Sequence, residues 1–344
     1  MRSDLFINTI GCHAAGEVGE IILSGVPTPA GKTIWEQSRF LEKDNELRNF
    51  LLSEPRGSLN KHFNLLLPPK NKKADFGWII MEPQYNPPMS GSNAICVTTV
   101  ILETGMIPMR EPFQDIVLEA PGGLIKARAF NKEGKVCKVE VENMPSFVYR
   151  RDSLLEISDI GIIKVSVAFG GDSFVLVEAH DLDLSINPDE AEDLVRIGKK
   201  ITASANEQIG FNHPVMPGWN HISFCQFTLP ILRDSEGRVI GKNAVAIEPG
   251  KLDRSPCGTG CSARMALLSE RGELSKSDIF VGKSILDTEF ECRIKNVVKV
   301  GDISGIVPVI GGSAWVTGHH TYLRDKGDPF QTGYKLSDTW PKSS

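Results

Sequence analysis

Short apolar blocks and alternating positions dominate this chain. DLFINTIG, FGWIIME, DIVLEA, GLIKARAF, VCKVEVENM, IIKVSVAF, SFVLVEA, HISFCQFTL, NAVAIEP, FECRIKNV and SAWVTGHHTYL each alternate apolar with polar residues or carry a brief apolar run. Gly, Pro, Asn and Asp separate them, so the pattern predicts strands joined by turns. Helical spacing is rarer. It follows Asn93, follows Gly260, and fills residues 187–209, NPDEAEDLVRIGKKITASANEQI. Acidic residues crowd the first turn of that last segment after Asn187-Pro188, a helix start signal. Many strands and few helices, without strict alternation, predict an α+β fold rather than a doubly wound parallel sheet. No charge run or Ser/Gly-rich linker interrupts the chain, and the turn-rich EAPGG at residues 119–123 is the expected domain boundary.

One unit occurs twice. PPMSGSNAICV (residues 87–97) and DRSPCGTGCSARMALL (253–268) align when Ser90 is set on Cys257. Gly91 then falls on Gly258, Ser92 on Thr259, Asn93 on Gly260, Glu103 on Glu270, Gly105 on Gly272 and Ile107 on Leu274. Each copy therefore predicts a turn, a helix of about three turns and a glycine stop. Ser90 and Cys257 would each sit at a helix N-terminus, where free backbone N–H groups favour anions. Gly91 and Gly258 leave the backbone open to close approach. A cysteine at such a place is expected to have a lowered pKa, and a thiolate serves as base or nucleophile. A serine hydroxyl is far less acidic but acts as a hydrogen-bond partner and proton relay. Two such ends suit proton abstraction beside a carboxylate, with a base on one side and donors aimed at the developing charge.

Composition narrows the partners. The 344 residues include 41% hydrophobic and 24% charged side chains with a net charge of −5, so a soluble protein is expected and no basic surface for nucleic acid or anionic membrane is implied. MRSDLFINTIGCH lacks the apolar core of a signal peptide, and no run of about 18 apolar residues occurs, so a cytoplasmic location is expected. Seven scattered cysteines without a CxxC suit reduced thiols rather than a disulfide framework. No GxGxxG or P-loop is present, and no cofactor is implied. His319-His320, His13 beside Cys12, and Cys257 with Cys261 lack the spacing of a metal site, so no metal is expected. Cys261, one turn after Cys257, is expected to be a packing residue.

These motifs resemble the proline racemase superfamily. DRSPCGTG is similar to its second active-site motif, and MSGSN to its first, where Met-Cys-Gly-His is usual. GCHAAGEVGEII and VTGHHTYLRDKGDPF also resemble the family, so the likeness spans nearly the whole chain. It implies two pseudo-symmetric α/β domains like those of diaminopimelate epimerase, each a curved, mostly antiparallel sheet around a central helix, with the site in the interdomain cleft. Residues 1–125 with 312–344 would form the first domain, carrying Ser90, and 126–311 the second, carrying Cys257. By motif, Ser90 and Cys257 are the catalytic positions. Gly91, Ser92, Gly258 and Thr259 would contact the substrate carboxylate, Asp253 the ring ammonium, and His221 the ligand. Glu17 is expected to be a strand-edge residue in solvent.

The family spans proline racemases, 4-hydroxyproline 2-epimerases and trans-3-hydroxy-L-proline dehydratases, so the implied partner is hydroxyproline or proline, and a homodimer is in keeping. Ser at the first position with Cys at the second departs from both usual patterns. Two groups so unequal in basicity favour dehydration, in which one group removes the α-proton and another protonates the leaving β-hydroxyl. The expectation is a trans-3-hydroxy-L-proline dehydratase giving Δ1-pyrroline-2-carboxylate. The alternatives are 4-hydroxyproline 2-epimerase, possession of both activities, proline racemase and a non-catalytic imino-acid-binding protein.

Overall fold

A computed structural model describes residues 3–341. In chain order it contains β1 (Ser3–Ala14), β2 (Glu17–Ser24), α1 (Ile34–Asp44), α2 (Glu46–Leu52), β3 (Lys61–Leu67), β4 (Phe76–Met81), α3 (Gly91–Glu103), β5 (Phe113–Ala120), β6 (Gly123–Lys132) and β7 (Lys135–Glu142). There follow β8 (Ser146–Ile157), β9 (Gly161–Phe169), β10 (Ser173–Glu178), α4 (Ala191–Gln208), β11 (Phe224–Thr228), β12 (Leu232–Arg233) and β13 (Val239–Ile247). The chain ends with β14 (Lys251–Leu252), α5 (Gly258–Glu270), β15 (Ile279–Lys283), β16 (Glu289–Val300), β17 (Ile303–Gly312) and β18 (Ala314–Asp325). The fold is a sheet-rich α+β arrangement with few helices. It divides into two compact units: the chain to Val141 completed by Gly312–Pro341, and Glu142–Gly311.

In the first unit, β1 pairs antiparallel with both β18 and β2. The ladder continues through β3, β4, β5 and β6, with β2–β3 and β4–β5 parallel and the other neighbours antiparallel. The segment GSNAICVTTVILE is apolar around most of its circumference, which suits a helix surrounded by protein. Accordingly α3 is buried continuously from Gly91 to Leu102 and packs on β1, β2, β3, β6 and β18. The period of two in β3 sorts its side chains. Phe63, Leu65 and Leu67 join Ile34, Leu41, Phe50 and Leu52 of α1 and α2 in a second apolar layer, whereas Asn64 reaches Asn93 of α3. Sequence periodicity gave no sign of α1 and α2. Buried Gln37 and Ser38 sit among the few apolar positions of α1 and blur its stripe.

In the second unit the ladder closes on itself. β8 pairs with β9, β9 with β10, β10 with β11, β11 with β13, β13 with β15, β15 with β16, β16 with β17, and β17 with β8 again. A closed ladder leaves no free edge along its length. α5 is buried from Gly258 to Leu268 against β8, β9, β10 and β16, while α4 packs on β8, β11 and β13. Asn187 caps a short turn over Pro188–Glu190 by accepting from the amides of Asp189 and Glu190, and α4 itself begins at Ala191.

The boundary expected at residues 119–123 is corrected. This stretch is the turn of an antiparallel hairpin, in register from Phe113 opposite Phe130 to Ala120 opposite Gly123. The chain instead leaves the first unit at Val141 and re-enters it at Gly312. Among the described residues, no helix is long and apolar enough to cross a membrane.

The seat of α5 depends on one glycine. A Cβ on Gly170 would lie 2.0 Å from the Thr259 carbonyl oxygen and 2.5 Å from the Ala263 nitrogen, both backbone atoms of α5. The Asn143 amide ties the two segments, donating to the Gly170 carbonyl at 2.7 Å and to Ser262 Oγ at 2.8 Å. Gly170→Ala must therefore push the helix out of its seat. Denaturant unfolding should show a loss of about 2–3 kcal/mol, at the upper end of overpacking costs. A loss below about 0.5 kcal/mol would contradict the close approach.

Candidate active site

Both repeated segments place their distinctive residue at a helix N-terminus. Ser90 is the N-cap of α3 and Cys257 the N-cap of α5, and the glycine stops Gly105 and Gly272 adopt φ +72° and +75°. The first-turn amides of a helix have no intrahelical partner, so Gly91-Ser92 and Gly258-Thr259 present backbone N–H groups at these two ends.

Ser90 is backed by side chains from four elements, α3, β2, β3 and β4. Its hydroxyl makes no cap hydrogen bond to the first turn. Instead Ser90 Oγ accepts from Asn93 Nδ2 at 2.9 Å. The same amide nitrogen lies 3.1 Å from His62 Nδ1 on β3, and His62 Nε2 lies 3.4 Å from Glu17 Oε1 on β2. Asn93 Oδ1 accepts from Asn64 Nδ2 at 2.7 Å, and Asn64 Oδ1 accepts from the Trp78 indole at 2.8 Å. Glu17 is 2% exposed, which corrects the expectation of a solvent-facing strand-edge residue: its carboxylate is turned inward against His62. Ser92 and Gly91 are buried in the first turn of α3.

Cys257 is backed differently. Its backbone lies at φ +61°, ψ +99°, a conformation that costs a non-glycine residue roughly 1–3 kcal/mol. Sγ accepts from the Gly260 amide at 3.3 Å and lies 3.6 Å from Thr259 Oγ1. The Cys257 amide donates to Ser255 Oγ at 3.1 Å, and Ser255 donates both its amide and its hydroxyl to Asp253 Oδ1 at 2.8 and 2.9 Å. Asp253, Ser255, Cys257, Gly258 and Thr259 thus form one buried cluster.

The expected lowering of the Cys257 pKa is overturned. Burial, first, and the Asp253 carboxylate, second, push the thiol well above the ordinary cysteine range, against smaller opposing contributions from Thr259 and the Gly260 amide. A helix terminus favours a thiolate, but a desolvated sulfur beside an anion does not ionise readily. In this state Cys257 is a thiol at neutral pH.

His221 does not lie in a strand. It occupies the loop before β11, with its ring 4.5 Å from that of Trp219 and its carbonyl accepting from Ser173 Oγ at 2.6 Å. Cys261 is buried and donates to the Pro256 carbonyl at 3.3 Å. No group of three or more His, Cys, Asp or Glu side chains able to hold a metal occurs among the described residues.

Sequence reading missed Ser255, Asn93, His62 and Gln226. The first two lie inside the quoted motifs. His62 and Gln226 are one residue each within unremarkable strands. Gln226 is fully buried on β11 with neither end of its amide hydrogen-bonded, and a Cβ on Gly260 would meet both its Oε1 and Cys257 Sγ at 3.1 Å.

Known structures share this arrangement of elements. A hydroxyproline epimerase from Agrobacterium vitis, solved with bound trans-4-hydroxy-L-proline, superposes with a TM-score of 0.92 at 36% identity, over 99% of this chain and 98% of its own. A probable proline racemase from Agrobacterium radiobacter, solved with bound carbonate, superposes with a TM-score of 0.91 at 35% identity, over 97% and 98% of the two chains. A phenazine biosynthesis protein of Bacillus anthracis, 11% identical over 92% of this chain and 99% of its own, has a TM-score of 0.55 and shares the fold alone. The sequence profile of the family named proline racemase matches residues 9–335, and with the two helix-terminal motifs inside that span, the chain belongs to the proline racemase family.

Proposed function

We propose that this protein is a hydroxyproline 2-epimerase acting on 4-hydroxyproline, with Ser90 and Cys257 exchanging the α-proton on opposite faces of the substrate. The observation that carries this reading is the 36% identity, over 99% of the chain, with an epimerase that holds trans-4-hydroxy-L-proline. The substrate carboxylate would rest on the amides of Gly91-Ser92 and Gly258-Thr259, and its ring ammonium on Asp253. His221 would stand beside the ligand.

The chemistry is two proton transfers. One group removes the α-hydrogen, leaving the C–H electron pair on the α-carbon and its carboxylate, and the other delivers a proton to the opposite face. In the reverse direction their roles exchange, and solvent resets both. Such a pair works best when the two groups are similar in basicity. The gap between serine and cysteine, which favoured dehydration, is narrowed from both sides. Burial and Asp253 raise the Cys257 thiol. Asn93 donates to Ser90 Oγ, which favours its alkoxide. A ring ammonium arriving at Asp253 would offset that carboxylate and ease the thiol toward thiolate.

The expected dehydratase activity stands as the second reading, favoured by the persisting difference between the two groups. Cys257 would take the α-proton while Ser90 protonates the departing β-hydroxyl as water, leaving an enamine that tautomerises to Δ1-pyrroline-2-carboxylate.

Incubation with trans-4-hydroxy-L-proline in heavy water should yield cis-4-hydroxy-D-proline deuterated at the α-carbon. Pyrroline from trans-3-hydroxy-L-proline with no epimer from the 4-hydroxy substrate would establish the second reading instead. Cys257→Ser should lose about 100-fold or more in kcat, the scale of a lost acid–base group. The Cys257 titration supplies a further check. In a Cys137→Ser background, which removes the exposed cysteine, alkylation of Cys257 should have a midpoint above the free-thiol value of about 8.5. Asp253→Asn removes a negative charge, stabilises the thiolate, and should move that midpoint down; an unchanged or higher midpoint would contradict the stated cause.

A further inference from the structure

We infer that Glu17, His62 and Asn93 are positioning residues that hold the Ser90 hydroxyl as a proton donor, and that the indole of Trp78 sets the direction of the whole line. This inference rests on the reading of Ser90 as one of the two proton-transfer groups.

The direction follows from hydrogen-bond arithmetic. An indole N–H donates and never accepts. Trp78 Nε1 lies 2.8 Å from Asn64, so the carbonyl end of the Asn64 amide faces Trp78. Its NH2 end then faces Asn93 at 2.7 Å and the Glu20 carbonyl at 3.4 Å. Asn93 must meet that donor with its own oxygen, so its NH2 group is turned toward Ser90 and His62. One N–H goes to Ser90 Oγ and the other to His62 Nδ1. His62 Nδ1 is therefore an acceptor, and the ring is neutral with its proton on Nε2, facing Glu17 Oε1 at 3.4 Å.

Two consequences reach the reacting atom. The oxygen of Ser90 accepts from Asn93, so its own proton is directed elsewhere. An amide N–H cannot take that proton, so His62 is not a base for Ser90. The line instead presents the hydroxyl proton outward and stabilises the charge left on oxygen once it is given away. Trp78 and Asn64 are fully buried, Asn93 is 1% and His62 3% exposed, and Ser90, at 9%, is the open end.

The backbone makes room for this line. On β2, Gly19 stands opposite His62, and a Cβ there would lie 2.5 Å from Asn93 Oδ1 and 3.1 Å from Asn64 Nδ2. Gly19→Ala would displace the Asn93 amide without removing a polar group.

The test assays Asn93→Ala and Gly19→Ala beside the wild type in heavy water. It measures kcat, KM and deuterium gained by unconverted substrate, starting from each hand of 4-hydroxyproline. Expected in both variants is a fall in the kcat of inversion of about 10- to 100-fold with KM within about twofold. Deuterium gain without inversion should persist for the hand whose α-hydrogen faces Cys257. Inversion within about twofold of wild type in either variant overturns the inference. So does equal loss of exchange from both hands, which would mark a general collapse of the site. If the wild type turns over only trans-3-hydroxy-L-proline, the epimerase reading fails. The same variant-to-wild-type ratios, taken on dehydration, then decide the positioning roles. A wild type that exchanges neither substrate overturns both.

Discussion

A helix buried on every side has only its ends to offer chemistry, and this constraint organises each half of the molecule. The backbone groups of α3 and α5 are paired with one another along the helices and enclosed by packing, so the first-turn amides at Gly91-Ser92 and Gly258-Thr259, which have no intrahelical partner, are the places where polarity concentrates. Burying a helix this deeply requires walls around it. In the second unit the strands from β8 to β17 supply them as a ladder that returns to its start. In the first unit the sheet carries α3 on one side and the apolar layer under α1 and α2 on the other.

The two helix ends occupy matching positions but differ in backbone, extended at Ser90 and at positive φ at Cys257, and are opposite in electrostatics. Behind Ser90 stands a row of amides anchored on a donor, the Trp78 indole, and it delivers a hydrogen bond to the serine oxygen. Behind Cys257 stands a carboxylate, Asp253, which gathers the Ser255 hydroxyl and amide and raises the pKa of the sulfur. One end favours an anion on its side chain and the other resists it. Since a hydroxyl begins far less acidic than a thiol, these surroundings draw the two groups toward each other. That convergence is what the proposed reversible exchange of one proton between unlike groups requires.

Small residues set the precision of both ends. Gly170 lets a β-strand turn lie directly on the backbone of α5, and Gly19 lets the Asn64–Asn93 amide pair fit between β2 and α3. A methyl group at Gly170 would meet the backbone of α5 just behind Cys257, and one at Gly19 would meet the Asn93 amide that donates to Ser90. The demands differ: at Gly170 the obstacle is backbone and stability is at stake, whereas at Gly19 it is a side-chain amide and orientation is at stake.

The sequence by itself determined the local devices. Turn, helix and glycine stop recur at matched spacing because a helix terminus is specified by neighbouring residues, and α3 and α5 begin and end where the repeat placed them. The strand-rich α+β class was equally legible, because alternation records which face of a strand is buried. What only the tertiary structure decided lies beyond such short-range rules. The EAPGG turn reads as a boundary in sequence but closes a hairpin in space. Glu17, His62 and Asn64 belong to ordinary strands until pairing of β2 with β3 sets them in one row behind Asn93. The Cys257 pKa turned against its helix-terminal expectation because desolvation and the field of Asp253 depend on everything packed around the sulfur. Local conformation is written in adjacent residues, whereas burial, charge and hydrogen-bond direction at a site come from parts of the chain that meet only after folding.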